Sequence, residues 1–562
     1  EVGSRKNDRI SYLFRTQSRG DLLKLTVTYP DDKTRTAEIS VIASGFSPAH
    51  YHTKTCSLGT GYLTGHQYRV SHQMVTQTIY FYAPSAEFAI VFSTGENDAP
   101  AAISQFTIEP VALGEALPAV EYALPWHERR QLGLYWEDPV LGPIYGYPED
   151  TSPEVFKAVL DRHIDYLKRT AQNTVIYPVI WYAGTVYRNS QEYGNYQAGG
   201  RSHPNDFHIM MAERYSHEGI NFYPMIRNWS LPSVRYLVRN PEEVLSNPDL
   251  NYVNSVTYDG RVLTTVGPST SPMLNFLHPQ VKAAFMAMLQ RLLDDLGQEE
   301  SVKGISLFTA SHSTHGFGTL EVGYDDYTVK LFAEEMGLEL PEPQGPVSDR
   351  FRQWYQWLKE NHWERWLQWR CQKQTSYYEE LAEMVAATRE GLKLHIMLRE
   401  PKTMLDIVDD LTVYYYEHMA LDLDTLASNP NIVLTRNQFP IDYRWTLTLG
   451  ANSPYRAPLI AAERAGTLET IIYRDFDVDW LRPLLGKISG FTMHERYFET
   501  PDPAFKHSRL QLPFGWEQEP DWRVTQPKPT GRYALEHYAR DLALHDAVFL
   551  TRGGYNLGTQ GM

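Results

Sequence analysis

Cysteine is nearly absent from the sequence. The 562 residues include two, Cys56 and Cys371, which lie far apart and form no CxxC motif. This excludes a disulfide framework and a cysteine-rich zinc site, but it does not identify the cellular compartment. The sequence also has no apolar run long enough to cross a bilayer, so we expect no membrane partner. It begins at Glu1 without an initiator methionine or a signal-peptide core, and we interpret this start as a processed or engineered terminus.

Positive charge is scarce as well. The 52 Lys and Arg residues are outnumbered by 68 Asp and Glu residues, which gives a formal net charge of −16. An acidic surface without a long basic run repels phosphate backbones, so we expect no nucleic-acid partner. Aromatic residues, in contrast, make up 13% of the chain, with 37 Tyr and 13 Trp. Such rings can stack on sugar faces, although in a chain of this size most of them are expected to be buried.

The first 112 residues have the pattern of short strands separated by turns. Alternating or branched and aromatic residues predict strands at Leu22–Tyr29, Ala37–Ile42, Thr78–Tyr82 and Phe88–Phe92. No helical periodicity occurs in this part of the chain. We therefore predict an all-β sandwich domain over residues 1–112, followed by a linker at residues 113–127.

From residue 128 onward, short apolar segments alternate with long amphipathic ones, which is typical of a parallel α/β sheet. Pro279–Leu296 has one apolar helical face, and Asp349–Gly391 is nearly all helix-forming, with tryptophans that we expect to be packed in the core. Eight strands are predicted, at Leu132–Trp136, Thr174–Trp181, Asn221–Ile226, Lys303–Phe308, Lys393–Leu398, Ile432–Thr435, Ile488–Met493 and Ala547–Thr551. Eight strands form a (β/α)₈ TIM barrel, here over residues 128–562. A helix is missing after the last strand, so we expect the natural protein to continue beyond Met562.

In such a barrel, functional groups follow the carboxyl ends of the strands. The predicted substrate-binding residues are Trp136, Glu137, Tyr182, Arg227, Trp229, His312, His315, Arg399, Asn437, His494, Arg496 and Tyr497. Together with Arg436, the arginines of this set favour an anionic glycan, uronic or sulfated, because guanidinium binds oxyanions bidentately. Structural ion pairs are the alternative role for these arginines.

Cleavage of a glycosidic bond requires two carboxyl groups. Glu495, at the end of the seventh predicted strand, is the predicted ionised member, since flanking His494 and Arg496 can keep it charged. For the general acid we prefer Glu321, in the loop after the fourth strand.

Three other acidic positions remain open as the partner of Glu495. They are Asp325 in the same loop, Glu400 after the fifth strand and Glu137 after the first. Asp325 or Asp326 could instead cap the helix that begins near Tyr327.

Several stretches resemble the family-ten-like glycoside hydrolases, which are bacterial barrel proteins related in architecture to clan A glycosidases. They are Leu277–Val281, Lys303–Leu307, Gly323–Phe332 with Glu335–Gly337, and Trp366–Cys371. The resemblance covers roughly Leu132 to the end, and a β-sandwich often precedes such barrels. It implies a retaining hydrolase, secreted or periplasmic, that degrades a poly- or oligosaccharide without a cofactor. Glu495 matches the family's nucleophile position, but the usual Asn-Glu after strand four is replaced here by Thr309-Ala310.

Two other functions remain open on the sequence alone. The missing Asn-Glu motif is compatible with a non-catalytic glycan-binding barrel. His312 and His315 could instead serve a metal-dependent hydrolase, but they lie in no HExxH context, so we predict no metal site.

Overall fold

The computed structural model shows a mixed α/β protein. It describes residues 1–43, 55–65, 70–95, 97–112, 131–136, 139, 141–145, 152–169, 171–182, 184–185, 203–204, 206–228, 231–262, 273–309, 313–399, 419–438, 490–494 and 547–552. The chain divides into two compact units. The first comprises Glu1–Tyr177, Gln197–Asn221 and Thr492–Met562, and the second comprises Pro178–Tyr196 and Phe222–Phe491.

The amino-terminal part of the first unit contains two antiparallel sheets. Their strands are β1 (Arg9–Arg15), β2 (Leu22–Asp31), β3 (Arg35–Ala43), β4 (Thr55–Thr64), β5 (Gln73–Tyr82), β6 (Glu87–Thr94) and β7 (Gln105–Pro110). One sheet has the order β1-β6-β3-β4 and the other the order β5-β2-β7. The four strands predicted here are confirmed as β2, β3, β5 and β6.

Both of these sheets contribute to one hydrophobic core. Along β2, Leu23, Leu25 and Val27 are buried while the residues between them are partly exposed, as period-two alternation requires. They pack with Ile39 of β3 and Phe92 of β6. Burial of these alternating side chains supplies the main stabilisation of this part of the chain.

All eight strands predicted after residue 128 are present, with bounds within three residues of the prediction. They are β8 (Gln131–Trp136), β9 (Thr174–Tyr182), β11 (Asn221–Asn228), β12 (Gly304–Thr309), β13 (Lys393–Arg399), β14 (Ile432–Gln438), β15 (Gly490–His494) and β16 (Ala547–Arg552); the short β10 (Gly184–Thr185) pairs back onto β9. The strand order is β10-β9-β11-β12-β13-β14-β15-β16-β8, with a further pairing between β8 and β9. Parallel registers join β16 to β8, β8 to β9, and β11 through β14 in succession.

Helices separate most of these strands. They are α1 (Leu141–Ile144), α2 (Pro153–Arg169), α3 (Phe207–Glu218), α4 (Pro241–Ser246), α5 (Pro279–Leu296), α6 (Asp326–Met336), α7 (Arg350–Asn361), α8 (Trp363–Thr388) and α9 (Leu423–Ser428), with 3₁₀ helices at Pro232–Leu237 and Val347–Asp349. Helix α5 has the predicted bounds and buries the predicted face. The prediction that the tryptophans of α7 and α8 are packed in the core is confirmed at Trp354, Trp366 and Trp369, whereas Trp357 and Trp363 are half-buried. Among the described helices, none combines the length and the apolar composition needed to cross a membrane.

Candidate functional site

The parallel strands of the second unit have two chemically different faces. One set of alternating residues is buried, and it is aliphatic except for Thr309 at the end of β12: it comprises Ile305, Leu307 and Thr309 of β12 and Leu394, Ile396 and Leu398 of β13. Helix α8 packs against β13. The face of a sheet that packs against helices is apolar, so we expect the polar side chains of these strands on the opposite face.

The opposite face carries polar and aromatic side chains in the middle of the strands. His395 of β13 shares a hydrogen bond with the hydroxyl of Thr435 on β14, and its ring lies 5.0 Å from the ring of Tyr223 on β11. Ser306 of β12 is the register partner of His395. Burial lowers the pKa of His395 to about 3, so its imidazole is neutral at physiological pH. These polar positions inside buried strands were missed in the sequence, although their period-two spacing was visible there.

Arg227 lies at the carboxyl end of β11, as the sequence predicted. Its side chain is 4% exposed, and the guanidinium carbon lies 4.7 Å from the ring centroid of Phe308 on the neighbouring strand β12. The next residue, Asn228, donates a 2.6 Å hydrogen bond from Nδ2 to Oγ1 of Thr314 in the loop after β12. The end of β11 is thereby tied to the loop that follows its neighbour.

Four further predicted residues lie at strand ends, where the structure describes their backbone but not their side chains. They are Tyr182 in β9, Arg399 in β13, Asn437 in β14 and His494 in β15. Arg399 and Asn437 are register partners. Seven other predicted residues lie outside the described part of the chain: Glu137, Trp229, His312, Glu400, Glu495, Arg496 and Tyr497.

Glu321, the preferred general acid, is enclosed. Its side chain is 0% exposed, and its carbonyl accepts a hydrogen bond from the backbone N–H of Tyr258. Buried Arg370 of α8 donates to the carbonyls of Thr319 and Val322 on either side, and it interacts electrostatically with the Glu321 carboxylate. A general acid must contact the leaving-group oxygen of its substrate, and the Glu321 carboxylate is not exposed for such a contact in this structure. The catalytic role of Glu321 stays a prediction.

Asp325 is the N-cap of α6, which confirms the capping alternative. Its carboxylate accepts hydrogen bonds from the backbone N–H and the hydroxyl of Thr328, both at 3.0 Å, and from Nδ2 of Asn275 at 2.8 Å. Burial raises the pKa of Asp325 to about 7. The bonds of this carboxylate are those of a helix cap, and the side chain is buried.

The neighbouring Asp326 is also structural. Its two oxygens accept from Nε and Nη2 of buried Arg350, at 2.9 and 2.7 Å, and from the hydroxyl of Tyr252 at 2.7 Å. The remaining guanidinium donors of Arg350 bind backbone carbonyls, among them that of Leu245. This fully satisfied buried pair fixes the amino terminus of α6 against the amino terminus of α7.

Trp136 does not present a ring face in the way a sugar platform requires. Although it ends β8 as predicted, its side chain is 1% exposed and packs on the rings of His163 and Tyr177, at 5.7 and 5.9 Å. His163 belongs to α2, so the indole is part of the packing between strand and helix.

His315 is likewise enclosed, between α5 and α8. Its Nδ1 lies 3.3 Å from the hydroxyl of Tyr378, and its ring contacts Phe285. Burial lowers its pKa to about 4, so it is neutral at physiological pH. Within the described ranges, no three His, Cys, Asp or Glu side chains come together as possible metal ligands.

No family model matches this sequence, and no curated protein matches it. Solved structures that it resembles include β-galactosidases from the haloarchaeon Halorubrum lacusprofundi and from Bacillus circulans sp. alkalophilus. The first is 12% identical over 76% of this chain and 55% of that chain, with a TM-score of 0.39. The second is 9% identical over 76% and 50%, with a TM-score of 0.35. A D-psicose 3-epimerase is also similar, 11% identical over 76% and 89%, with a TM-score of 0.29. This chain spans about half the length of the two β-galactosidases, and likeness at this level assigns it no activity.

Proposed function

We propose that this protein is a glycoside hydrolase in which Glu495 is a catalytic carboxylate at the rim of a (β/α)₈ barrel. One observation carries the proposal. Strand β15 lies between β14 and β16 in the strand order and ends at His494, so Glu495 is the first residue after the seventh of eight strands. Residues in such positions converge on one rim when the strands close into a barrel.

Closure of the barrel and the preceding β-sandwich are the fold part of this proposal. The order of β9, β11 through β16 and β8, with the further β8–β9 pairing, supports closure because it gives each of these strands two neighbours. The core that the two amino-terminal sheets share supports the sandwich.

For the general acid we now prefer Glu400 to Glu321. Strand β13 ends at Arg399, so Glu400 follows the fifth strand directly, as Glu495 follows the seventh. The carboxylate of Glu321, in contrast, is fully buried. With two carboxyl groups about 5–5.5 Å apart, Glu495 would attack the anomeric carbon and form a glycosyl-enzyme while Glu400 protonates the departing oxygen. Glu400 would then take a proton from a water molecule, which displaces Glu495 from the anomeric carbon, and these two inversions retain the configuration.

The substrate of this hydrolase is an anionic glycan, with uronic or sulfated residues. Arg399, which ends β13 in register with Asn437, supports this. Arg227 at the end of β11 is buried and stacks on Phe308, so it contributes positive charge near the strand ends without a direct contact. A planar guanidinium binds a carboxylate or a sulfate bidentately, whereas a neutral sugar offers it only hydroxyls.

The test is hydrolysis of a panel of neutral and anionic aryl glycosides and polysaccharides by the full chain and its variants. Glu495→Gln should abolish hydrolysis, while Glu499→Gln, the same change four residues further on, should leave it intact. Glu400→Gln should lose about 10²–10⁴-fold on poor leaving groups and little on dinitrophenyl glycosides, which need no acid. Full activity of Glu495→Gln would remove it from the mechanism.

The enclosed state of the acidic residues in the loop after β12 favours a second candidate, a glycan-binding barrel without catalysis. Glu321 is fully buried, Asp325 caps a helix and Asp326 is paired with Arg350. Binding of a glycan without release of reducing ends, even at high protein concentration, would select this candidate.

A further inference from the structure

The first unit contains a cavity that the proposed catalytic rim does not use. Its volume is about 560 Å³, which lies within the range of small-molecule sites. It is bounded by the turn between β1 and β2, by β6, by the end of β7, and by Arg162 of α2.

One wall of this cavity is polar and held in place by hydrogen bonds. Asp21 accepts from the hydroxyl of Thr16 at 2.5 Å and from the backbone N–H of Ser18 at 2.9 Å. Arg162 donates from Nε to the carbonyl of Gly20 at 2.7 Å and from Nη1 to a carbonyl of its own helix. The Asp21 carboxylate and the Arg162 guanidinium therefore have fixed positions before any ligand binds.

Gly20 is what permits this arrangement. Its φ is +80°, and a Cβ at this position would lie 2.7 Å from Nη2 of Arg162. A residue with a side chain would be strained in this conformation and would push the guanidinium away. The turn is therefore shaped for the close approach of Arg162.

Other residues that line the cavity are apolar. The ring of Phe14 is stacked on that of Phe88, with centroids 6.1 Å apart, and Leu22 and Leu23 also belong to the lining. A lining that combines aromatic and aliphatic side chains with fixed polar groups suits a ligand with one apolar face and several hydroxyls.

The charges around the cavity nearly cancel. Arg15 is paired with Glu87, with 2.8 Å between Nε and Oε2, and Arg162 acts electrostatically on Asp21. A binding site for an anion would carry a net positive charge. The balance here favours an uncharged polyol.

We propose that this cavity is a second carbohydrate site, which binds a neutral sugar residue of the glycan through the apolar wall at Phe14 and the polar wall at Asp21 and Arg162. The choice of a glycan as ligand rests on the proposed function. The binding itself does not require hydrolysis, so the two can be tested separately.

The experiment is calorimetric titration of the full chain with neutral xylo-, manno-, galacto- and cello-oligosaccharides, in wild-type and Glu495→Gln backgrounds. Gln17→Trp fills the mouth of the cavity from an exposed lining position, and Phe14→Ala removes its aromatic wall. Gln73→Trp, the same change at an exposed position of β5 outside the cavity, is the matched control.

We expect at least one oligosaccharide to bind to the wild type, and we expect Glu495→Gln and Gln73→Trp to bind it with the same affinity. Gln17→Trp and Phe14→Ala should weaken the binding of this oligosaccharide at least tenfold and should leave the hydrolysis of small aryl glycosides unchanged. Equal binding by Gln17→Trp and Gln73→Trp would overturn the proposal, as would the absence of binding to the whole panel. Retained hydrolysis by Glu495→Gln, together with loss of binding in Gln17→Trp, would refute the catalytic proposal and leave this one standing.

Discussion

Replacement of Asp325 by asparagine should change how the stability of the protein depends on pH. The carboxylate is buried at the amino terminus of α6, where its hydrogen bonds come from Thr328 and Asn275. Burial raises its pKa from 3.8 to about 7. Asparagine keeps an oxygen that can accept the capping hydrogen bond, but it carries no charge at any pH.

The direction and the size of the effect follow from this pKa. An acid whose folded pKa lies above its unfolded pKa makes its full contribution to stability below the unfolded value, here 3.8. That contribution is lost as the pH rises and the buried carboxyl must ionise, until the loss is complete above about 7. A difference of about three between the two pKa values corresponds to about 4 kcal/mol.

The assay is urea unfolding of wild type, Asp325→Asn and Asp325→Ala at a series of pH values from about 4 to 8. Between these limits the wild type should lose up to about 4 kcal/mol more unfolding free energy than Asp325→Asn. Asp325→Ala should share the flatter pH dependence but lie about 1 kcal/mol lower throughout, because it has no cap. Parallel curves for wild type and Asp325→Asn would refute the reasoning. Glycan hydrolysis by Asp325→Asn at pH 5, where the folded wild type is protonated at this position, should be unchanged.

Three other consequences are measurable. Arg350→Met should cost about 3–5 kcal/mol in denaturant unfolding, because it leaves a buried carboxylate without its partner, whereas exposed Arg352→Met on the same helix should cost less than about 0.5 kcal/mol. Gly20→Ala should lower the free energy of unfolding more than Gly345→Ala does. Both glycines have a positive φ, which costs alanine about 1 kcal/mol of strain, but only the Cβ at position 20 would also clash with Arg162, since a Cβ at position 345 meets nothing within 4 Å. A chelator should leave glycan hydrolysis unchanged, since enclosed His315 is no metal ligand in this account; loss of activity that zinc restores would contradict it.

The strands after residue 128 could be predicted because each is a short apolar run bounded by polar or turn residues. Their carboxyl ends were placed too early, however, at β11 and β14. Arg227 and Asn228 still belong to β11, and residues 436–438 to β14. The apolar pattern in the sequence ends at the first polar side chain, but the hydrogen bonding between the strand backbones extends over the polar residues that follow.

Strand β1 was missed, although Ile10, Tyr12 and Phe14 are apolar residues at period-two spacing. This alternation does not correspond to one buried face, because most side chains of the strand are exposed, including Leu13 at 66%. β1 is an edge strand of its sheet among the described strands, and it pairs with β6. The sequence pattern therefore predicts a strand here but not how much of it is buried.

The sequence predicts which residues follow the strands of the candidate site, but it does not predict what surrounds their side chains. Strand alternation and strand ends point to Arg227 and to the residues that follow β13 and β15. The enclosure of Glu321 depends on Arg370, which is 48 residues or more from the carbonyls that it binds. The burial of Trp136 depends on His163 in a helix. Contacts of this kind are tertiary, and the local pattern does not contain them.

The most direct test of the central claim is to trap the covalent intermediate. The full chain is incubated with fluoro-sugar inactivators that form slowly hydrolysed glycosyl-enzymes, across the neutral and uronic sugars, and the labelled peptide is identified by mass spectrometry. We expect one label per chain, on the carboxylate of Glu495, and none on Glu321 or Asp325. A label on another residue, or turnover of a glycan with inversion at the anomeric carbon, would contradict it.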